Sequence, residues 1–90
     1  MHTARRYLVR GRVQGVGFRW FVEHVAGSLG VRGWTRNLDD GSVEVYALAS
    51  PDQHDELARR LWKGPAAARV EAVEQQEAAI EKLSGFSIRP

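Results

Sequence analysis

The chain has 90 residues, a length that suits one small domain with a single core and is too short for two domains. Its composition, 43% hydrophobic and 27% charged, is typical of a soluble globular protein rather than a disordered or membrane-embedded one. The absence of cysteine excludes a disulfide framework and a thiolate metal site. Because the N-terminus lacks the pattern of a secretory signal, we expect a cytoplasmic location and no association with membranes.

Positive charge is concentrated in the first half of the chain. Residues 1–38 hold seven arginines and one acidic residue, although the net charge of the whole chain is only +2. A basic half can indicate nucleic acid binding, but these arginines form neither a cluster nor a repeated pattern with aromatic residues. We therefore expect a small anionic ligand and no nucleic acid.

The first predicted strand and the loop after it carry the strongest signal in the chain. Residues 7–13 alternate between an apolar face and a face with arginines, as in a half-buried strand. The overlapping segment 11–19, Gly-Arg-Val-Gln-Gly-Val-Gly-Phe-Arg, contains three glycines and ends on an arginine. Glycine adopts positive φ without steric cost, so such a loop can direct several backbone N–H groups toward one anion.

We interpret residues 13–19 as a phosphate-binding loop at a helix N-terminus, where unpaired amides and the helix dipole favour an anion. It is not a Walker loop, because no Gly-Lys-Ser/Thr follows, nor a dinucleotide fingerprint, because Trp20 replaces the third glycine. Taken alone, the same glycines also suit an ordinary turn. The predicted phosphate-binding residues are Gln14, Gly15, Val16, Gly17, Phe18 and Arg19.

Further elements follow in a clear order. Apolar residues at helical spacing predict a helix over residues 18–29, which Gly30 ends. Residues 31–37 and 43–49 form a predicted hairpin with its turn at Asp40-Gly41. The adjacent acids at this turn look like a catalytic carboxylate pair, but the glycine after them favours turn formation.

A capping box over residues 50–53, Ser-Pro-Asp-Gln, begins a second helix that ends at Gly64-Pro65. Leu57, Leu61 and Trp62 form its predicted buried stripe. Two more strands are predicted over residues 69–77 and 86–89.

The order β-α-β-β-α-β predicts an α+β fold of the ferredoxin-like, split β-α-β type. We expect one domain over residues 1–90, with an antiparallel sheet and both helices on one face. The first two strands then run parallel with the third between them, so the glycine loop and Asn37 share one edge of the sheet. Two strand spacings, about 10 Å, separate them, so a phosphate held by the loop can meet the Asn37 side chain.

Residues 11–19 and 33–44 closely resemble the two sequence motifs of the acylphosphatase family, and the resemblance continues to residues 86–89. It implies hydrolysis of the carboxyl–phosphate bond of an acyl phosphate. By the same resemblance Arg19 is the catalytic phosphate-binding arginine and Asn37 the catalytic asparagine that orients water.

The residue types suit that reaction. The leaving carboxylate is a weak base, so the enzyme needs no general acid and has mainly to hold charge and align water. We expect no cofactor and no metal, a small acyl phosphate as substrate, and a monomer. The histidines at positions 2, 24 and 54 share no spacing, and we predict solvated or helix-surface positions for them. Trp20 is interpreted as a packing or surface-covering residue.

Two other functions use the same fold. One is an RNA-binding module that stacks bases on an open sheet face, but the exposed positions predicted there include one tyrosine, Tyr46, beside Glu44 and Leu48. The other is the acylphosphatase-like domain that serves carbamoyl phosphate chemistry in hydrogenase-maturation carbamoyltransferases. Those chains are much longer and contain cysteine-rich segments.

Overall fold

Two helices pack on one face of a five-stranded sheet in a computed structural model that describes all 90 residues. Neither helix is long and apolar enough to cross a membrane. The elements in chain order are β1 (Thr3–Arg12), α1 (Phe18–Leu29), β2 (Arg32–Asn37), β3 (Val43–Ala49), α2 (Pro51–Lys63), β4 (Arg69–Glu77) and β5 (Phe86–Ile88).

The strand order is β4-β1-β3-β2-β5, which confirms the split β-α-β topology. β1 pairs antiparallel with β3 and β4, and β2 pairs antiparallel with β3. The sheet is mixed rather than wholly antiparallel, because the short β5 pairs parallel with β2 at the edge. β4 lies at the opposite edge, so the chain must cross a face of the sheet between residues 77 and 86 to reach that position.

The main core lies between the sheet and the helices and confirms the alternation predicted for β1. Tyr7 and Val9 of β1, with Val43 and Val45 of β3, are fully buried in a cluster of 14 residues. Burying side chains of this size contributes roughly 1.5–3 kcal/mol each, so this layer supplies most of the drive to fold.

The caps confirm the predicted end of α1 and the predicted start of α2. α1 ends at Leu29 and is capped by Gly30, whose φ of 73° is the left-handed conformation that closes a helix. At the start of α2 the Gln53 N–H donates to the Ser50 hydroxyl, and the Gln53 side chain accepts from the Ser50 N–H. Gln53 also donates to the Leu29 carbonyl at 2.8 Å, so the capping box ties the two helices together.

The buried stripe of α2 differs from the prediction at one position. Leu57 and Leu61 are buried, but Trp62 is 50% exposed. Residues 54, 57 and 61 follow helical spacing on one face, whereas residue 62 lies about 100° further around the helix. The third member of the stripe is therefore His54, which is fully buried.

The face of the sheet away from the helices is covered, which corrects the expectation of an open face. Trp34 and Tyr46 stack there with ring centroids 5.6 Å apart, beneath a segment that includes Ala78 and Leu83. The Tyr46 hydroxyl donates to the Ala79 carbonyl at 2.6 Å. It also accepts from the backbone N–H of residue 81, at 2.7 Å. An RNA-binding module would need these aromatic rings exposed, and both are buried.

Glu44 lies buried on this covered face between two arginines. Arg6 Nε is 2.7 Å from one carboxylate oxygen, and Arg36 Nε is 2.6 Å from the other. A buried carboxylate needs such partners, because the desolvation of an unpaired charge is costly. The prediction that Glu44 is exposed is therefore wrong.

His54 is not at the surface, contrary to the prediction. Its Nε2 lies 2.8 Å from the Thr3 carbonyl and its Nδ1 lies 2.7 Å from the Tyr7 hydroxyl. A carbonyl only accepts, so Nε2 carries the proton and Nδ1 accepts from Tyr7. Burial raises the pKa of Tyr7 to about 12 and, with the charge of Arg5, lowers the pKa of His54.

This buried pair predicts that the fold loses stability in mild acid. The pKa of His54 in the folded chain is below its unfolded value of about 6.5, so the unfolded chain binds more protons between those two values. The contribution of His54 to the free energy of unfolding is complete above about pH 6.5 and declines as the pH falls toward the pKa of His54 in the folded chain. Urea unfolding at pH 7.5 and pH 5.5 should show this loss in the wild type, and His54→Asn should weaken the dependence.

The exposed His24 on α1 provides the control for this prediction. His24→Gln should retain the wild-type dependence of the unfolding free energy on pH. An equal dependence in His54→Asn and the wild type would contradict the assignment to His54.

Candidate active site

The loop between β1 and α1 has a backbone without internal hydrogen bonds. Gly15 and Gly17 adopt left-handed φ values of 74° and 79°, which side-chain-bearing residues rarely adopt. None of the eleven backbone hydrogen bonds outside the helices and strands is donated by residues 14–20. The N-cap of α1 is Gly17, which has no side chain to cap the helix, and the first turn of α1 contains no acidic residue. The N–H groups of this loop and helix end are thus free to bind an external acceptor.

The loop and the end of β2 border one cavity, of about 210 Å³. Val43 of β3 pairs with Val9 of β1 on one side and with Asn37 of β2 on the other, which confirms the predicted shared edge. The half-buried Asn37 thus sits two strand spacings from β1. The residues lining the cavity are Val13, Gly15, Gly17, Phe18, Arg19, Trp20 and Asn37.

The Arg19 side chain is oriented by the C-terminal end of the chain. Its Nη1 donates to the Arg89 carbonyl at 3.1 Å. Arg89 is itself held twice, because its N–H donates to the Thr35 carbonyl at 2.8 Å and its guanidinium lies 4.4 Å from the Trp34 ring centroid. A carbonyl is neutral, so the bond fixes the direction of Arg19 and leaves its positive charge uncompensated.

Two of the predicted phosphate-binding residues direct their side chains elsewhere. The Gln14 amide donates to the carbonyls of Leu38 and Ser42, at 2.8 and 2.9 Å, and so ties the loop to the turn after Asn37. Val16 is half-buried and packs against the main core. Only their backbone N–H groups remain available for the predicted contact.

Asp40 in the β2–β3 turn has the structural role predicted for it. Asp40 accepts hydrogen bonds from the N–H and the hydroxyl of Ser42, at 2.9 and 2.5 Å. These bonds lower the pKa of Asp40 and close the turn. No group of three or more His, Cys, Asp or Glu side chains suited to a metal ion occurs in the structure.

Comparison with known proteins identifies the family of the chain. The model of the acylphosphatase family matches residues 5–88. The chain belongs to the acylphosphatase family. Its membership and fold assign it acyl phosphate hydrolysis, which confirms the enzyme class expected from the two motifs.

Similar acylphosphatases come from several bacteria. That of Solibacter usitatus is 54% identical over 86 residues, which cover 96% of this chain and 90% of the relative. That of Koribacter versatilis is 56% identical over 88 residues, which cover 97% of this chain and 80% of the relative. The solved acylphosphatase structure from Coxiella burnetii matches with a TM-score of 0.93 at 39% identity, over 98% of this chain and 93% of the other.

Two residues that the sequence does not assign to a site lie at or beside the cavity. Trp20 is 77% exposed, in agreement with a surface position, but it also borders the cavity, which the sequence analysis does not predict. Its position directly after Arg19 in the first turn of a helix was the available signal. Arg89 gave no signal, because it lies 70 positions from Arg19 in the chain.

Proposed function

We propose that this acylphosphatase binds the phosphoryl group of its substrate with the N–H groups of residues 14–19 and with Arg19. Asn37 orients the attacking water, and the reaction requires no metal. The observation that carries the proposal is the set of unpaired loop amides bordering the same cavity as Arg19 and Asn37. The family assigns the reaction, and these residues supply its mechanism.

The loop amides and the start of α1 suit a phosphoryl group. Several N–H groups turned toward one point form an anion-binding concavity, and the helix dipole adds a partial positive charge there. A phosphoryl group offers three oxygens as acceptors, so it satisfies donors that the protein itself leaves unpaired.

Arg19 contributes the fixed charge and the geometry. One of its five N–H donors is used by the Arg89 carbonyl, and the remaining donors can form a fork onto two phosphoryl oxygens. The guanidinium stays charged at any working pH. A side chain held in place before the substrate arrives loses less freedom on binding.

Asn37 acts on the nucleophile. Its amide has both a donor and an acceptor, so it can hold a water in line with the bond that breaks while remaining neutral. The water oxygen forms a bond to phosphorus, and the phosphorus–oxygen bond to the acyl group breaks. The acyl carboxylate leaves with the electron pair, and a phosphoryl oxygen takes the proton from the water.

Gln14 keeps the two halves of the site at a fixed separation. Its amide connects the phosphate-binding loop to carbonyls at both ends of the turn that follows Asn37. The reaction depends on the distance between a bound phosphorus and a water, and errors of about 1 Å at such sites cost about 100-fold in rate.

Phosphate release in the presence of a chelator tests the proposal. Acetyl phosphate should be hydrolysed at the same rate with and without excess EDTA, whereas a stable phosphate monoester should not be cleaved. Inorganic phosphate should inhibit competitively, because the loop binds the phosphoryl end of the substrate. Loss of turnover in EDTA that a divalent ion restores would contradict metal independence. Absent or noncompetitive phosphate inhibition would contradict the phosphate-binding loop.

We further propose that residues 1–90 act as one acylphosphatase-like domain, monomeric and cytoplasmic. The support for one domain is the single five-stranded sheet that joins both ends of the chain, because β1 and β5 belong to it together.

A further inference from the structure

Trp20 presents a large aromatic surface that the fold does not use. Its side chain is 77% exposed, while its neighbours Phe18 and Phe21 pack with their ring centroids 5.7 Å apart, in or against the main core. Of the large hydrophobic residues exposed on this chain, Trp20 alone borders the cavity of the candidate active site. An indole kept in water beside a binding site suggests a contact with the ligand.

The substrate has a second end for which the site described so far provides no contact. The loop amides and Arg19 take the phosphoryl group, and the acyl group is attached to it through one bridging oxygen. The buried residues Val13 and Phe18 close the inner side of the cavity, so the acyl group extends outward, along the rim. Trp20 is the large apolar side chain on that rim.

We propose that Trp20 is the contact for the acyl group and makes the enzyme favour aromatic and large apolar acyl phosphates over acetyl phosphate. This inference rests on the proposed phosphate site, because that site sets where the acyl group lies. An aromatic acyl group can stack on the indole or meet its edge, and both partners lose apolar surface to water. A methyl group covers far less of the ring and gains little.

The test compares benzoyl phosphate and acetyl phosphate as substrates of the wild type and of Trp20→Ala. We expect the ratio of kcat/KM for benzoyl to acetyl phosphate to fall about tenfold in the variant, chiefly through KM. Comparing ratios removes the difference in intrinsic reactivity between the two substrates. Trp20→Phe should retain most of the wild-type ratio, because an aromatic surface remains.

Trp62→Ala is the matched control. Trp62, like Trp20, is an exposed tryptophan on a helix, but it borders none of the cavities. This variant should leave the substrate ratio unchanged. The inhibition constant of inorganic phosphate, measured for every variant, reports on the phosphate site independently of the acyl group.

The possible failures are distinguishable. An unchanged ratio in Trp20→Ala, or an equal fall in Trp62→Ala, would overturn the role of Trp20 while the phosphate inhibition constant stays at the wild-type value. If the wild type itself is not inhibited by phosphate, the proposed function fails, and the acyl contact fails with it.

Discussion

Replacing Arg19 with lysine should reduce kcat/KM for acetyl phosphate by about 10²–10³-fold, although the positive charge is kept. Lysine places a single ammonium group where the guanidinium has a planar fork, so two parallel hydrogen bonds to phosphoryl oxygens are lost. Arg19 donates one hydrogen bond to the Arg89 carbonyl at 3.1 Å and has other donors left for the substrate. The single ammonium group of lysine cannot reach both partners in that geometry. The measurement is kcat and KM together with the inhibition constant of phosphate, which should rise as the anion loses its fork.

Arg12→Lys is the control for this substitution. Arg12 lies in the same sequence motif, is exposed, and does not border the cavity. Its replacement should change kcat/KM by no more than a few-fold. If Arg19→Lys has an equally small effect, Arg19 is not the residue that binds the phosphoryl group, and the charge alone is enough.

The helices, the hairpin and the strand topology were predictable because their signals are local. The alternation of residues 7–13, the capping box at residues 50–53 and the left-handed position of Gly30 each act within a few residues of one another. Topology then followed from element order, and topology alone predicted that the glycine loop and Asn37 share one edge. The catalytic roles of Arg19 and Asn37 stay predictions.

The covered face of the sheet could not be predicted from alternation. Glu44 lies between apolar neighbours in β3, a pattern that normally indicates a face in water. In the structure two arginines from neighbouring strands neutralise it, and the aromatic side chains beside it are covered by the segment after β4. That segment has no periodicity of its own, and its position depends on the parallel pairing of β5, a contact between distant parts of the chain.

Residue type misled the prediction for α2 in a different way. Leu57 and Leu61 already defined a stripe whose preceding position is residue 54, but histidine is usually assigned to the surface. The imidazole is buried because both of its nitrogens find partners, on Tyr7 and on the Thr3 carbonyl. Both partners of the imidazole lie in β1, far from α2 in the chain. The periodicity of α2 therefore cannot predict that a buried histidine finds its hydrogen bonds there.

Asn37→Ala should separate water activation from phosphate binding. If Asn37 orients the water while the loop and Arg19 hold the phosphoryl group, the variant should lose about 10²–10³-fold in kcat, or roughly 3–4 kcal/mol. The inhibition constant of phosphate should change little. Folding should survive, because the backbone of residue 37 keeps its pairing with Val43 whatever the side chain. The measurements are kcat, the phosphate inhibition constant and the urea midpoint of the variant and the wild type.

Asp39→Ala provides the comparison for that experiment, since Asp39 is exposed in the same turn and does not border the cavity. It should keep wild-type kcat, so a loss confined to Asn37→Ala cannot arise from a disturbed turn. Two results would refute the water-orienting role. One is a kcat that remains within a few-fold of wild type in Asn37→Ala. The other is a folded variant that loses phosphate inhibition in parallel with kcat, because the amide would then be binding the phosphoryl group rather than the nucleophile.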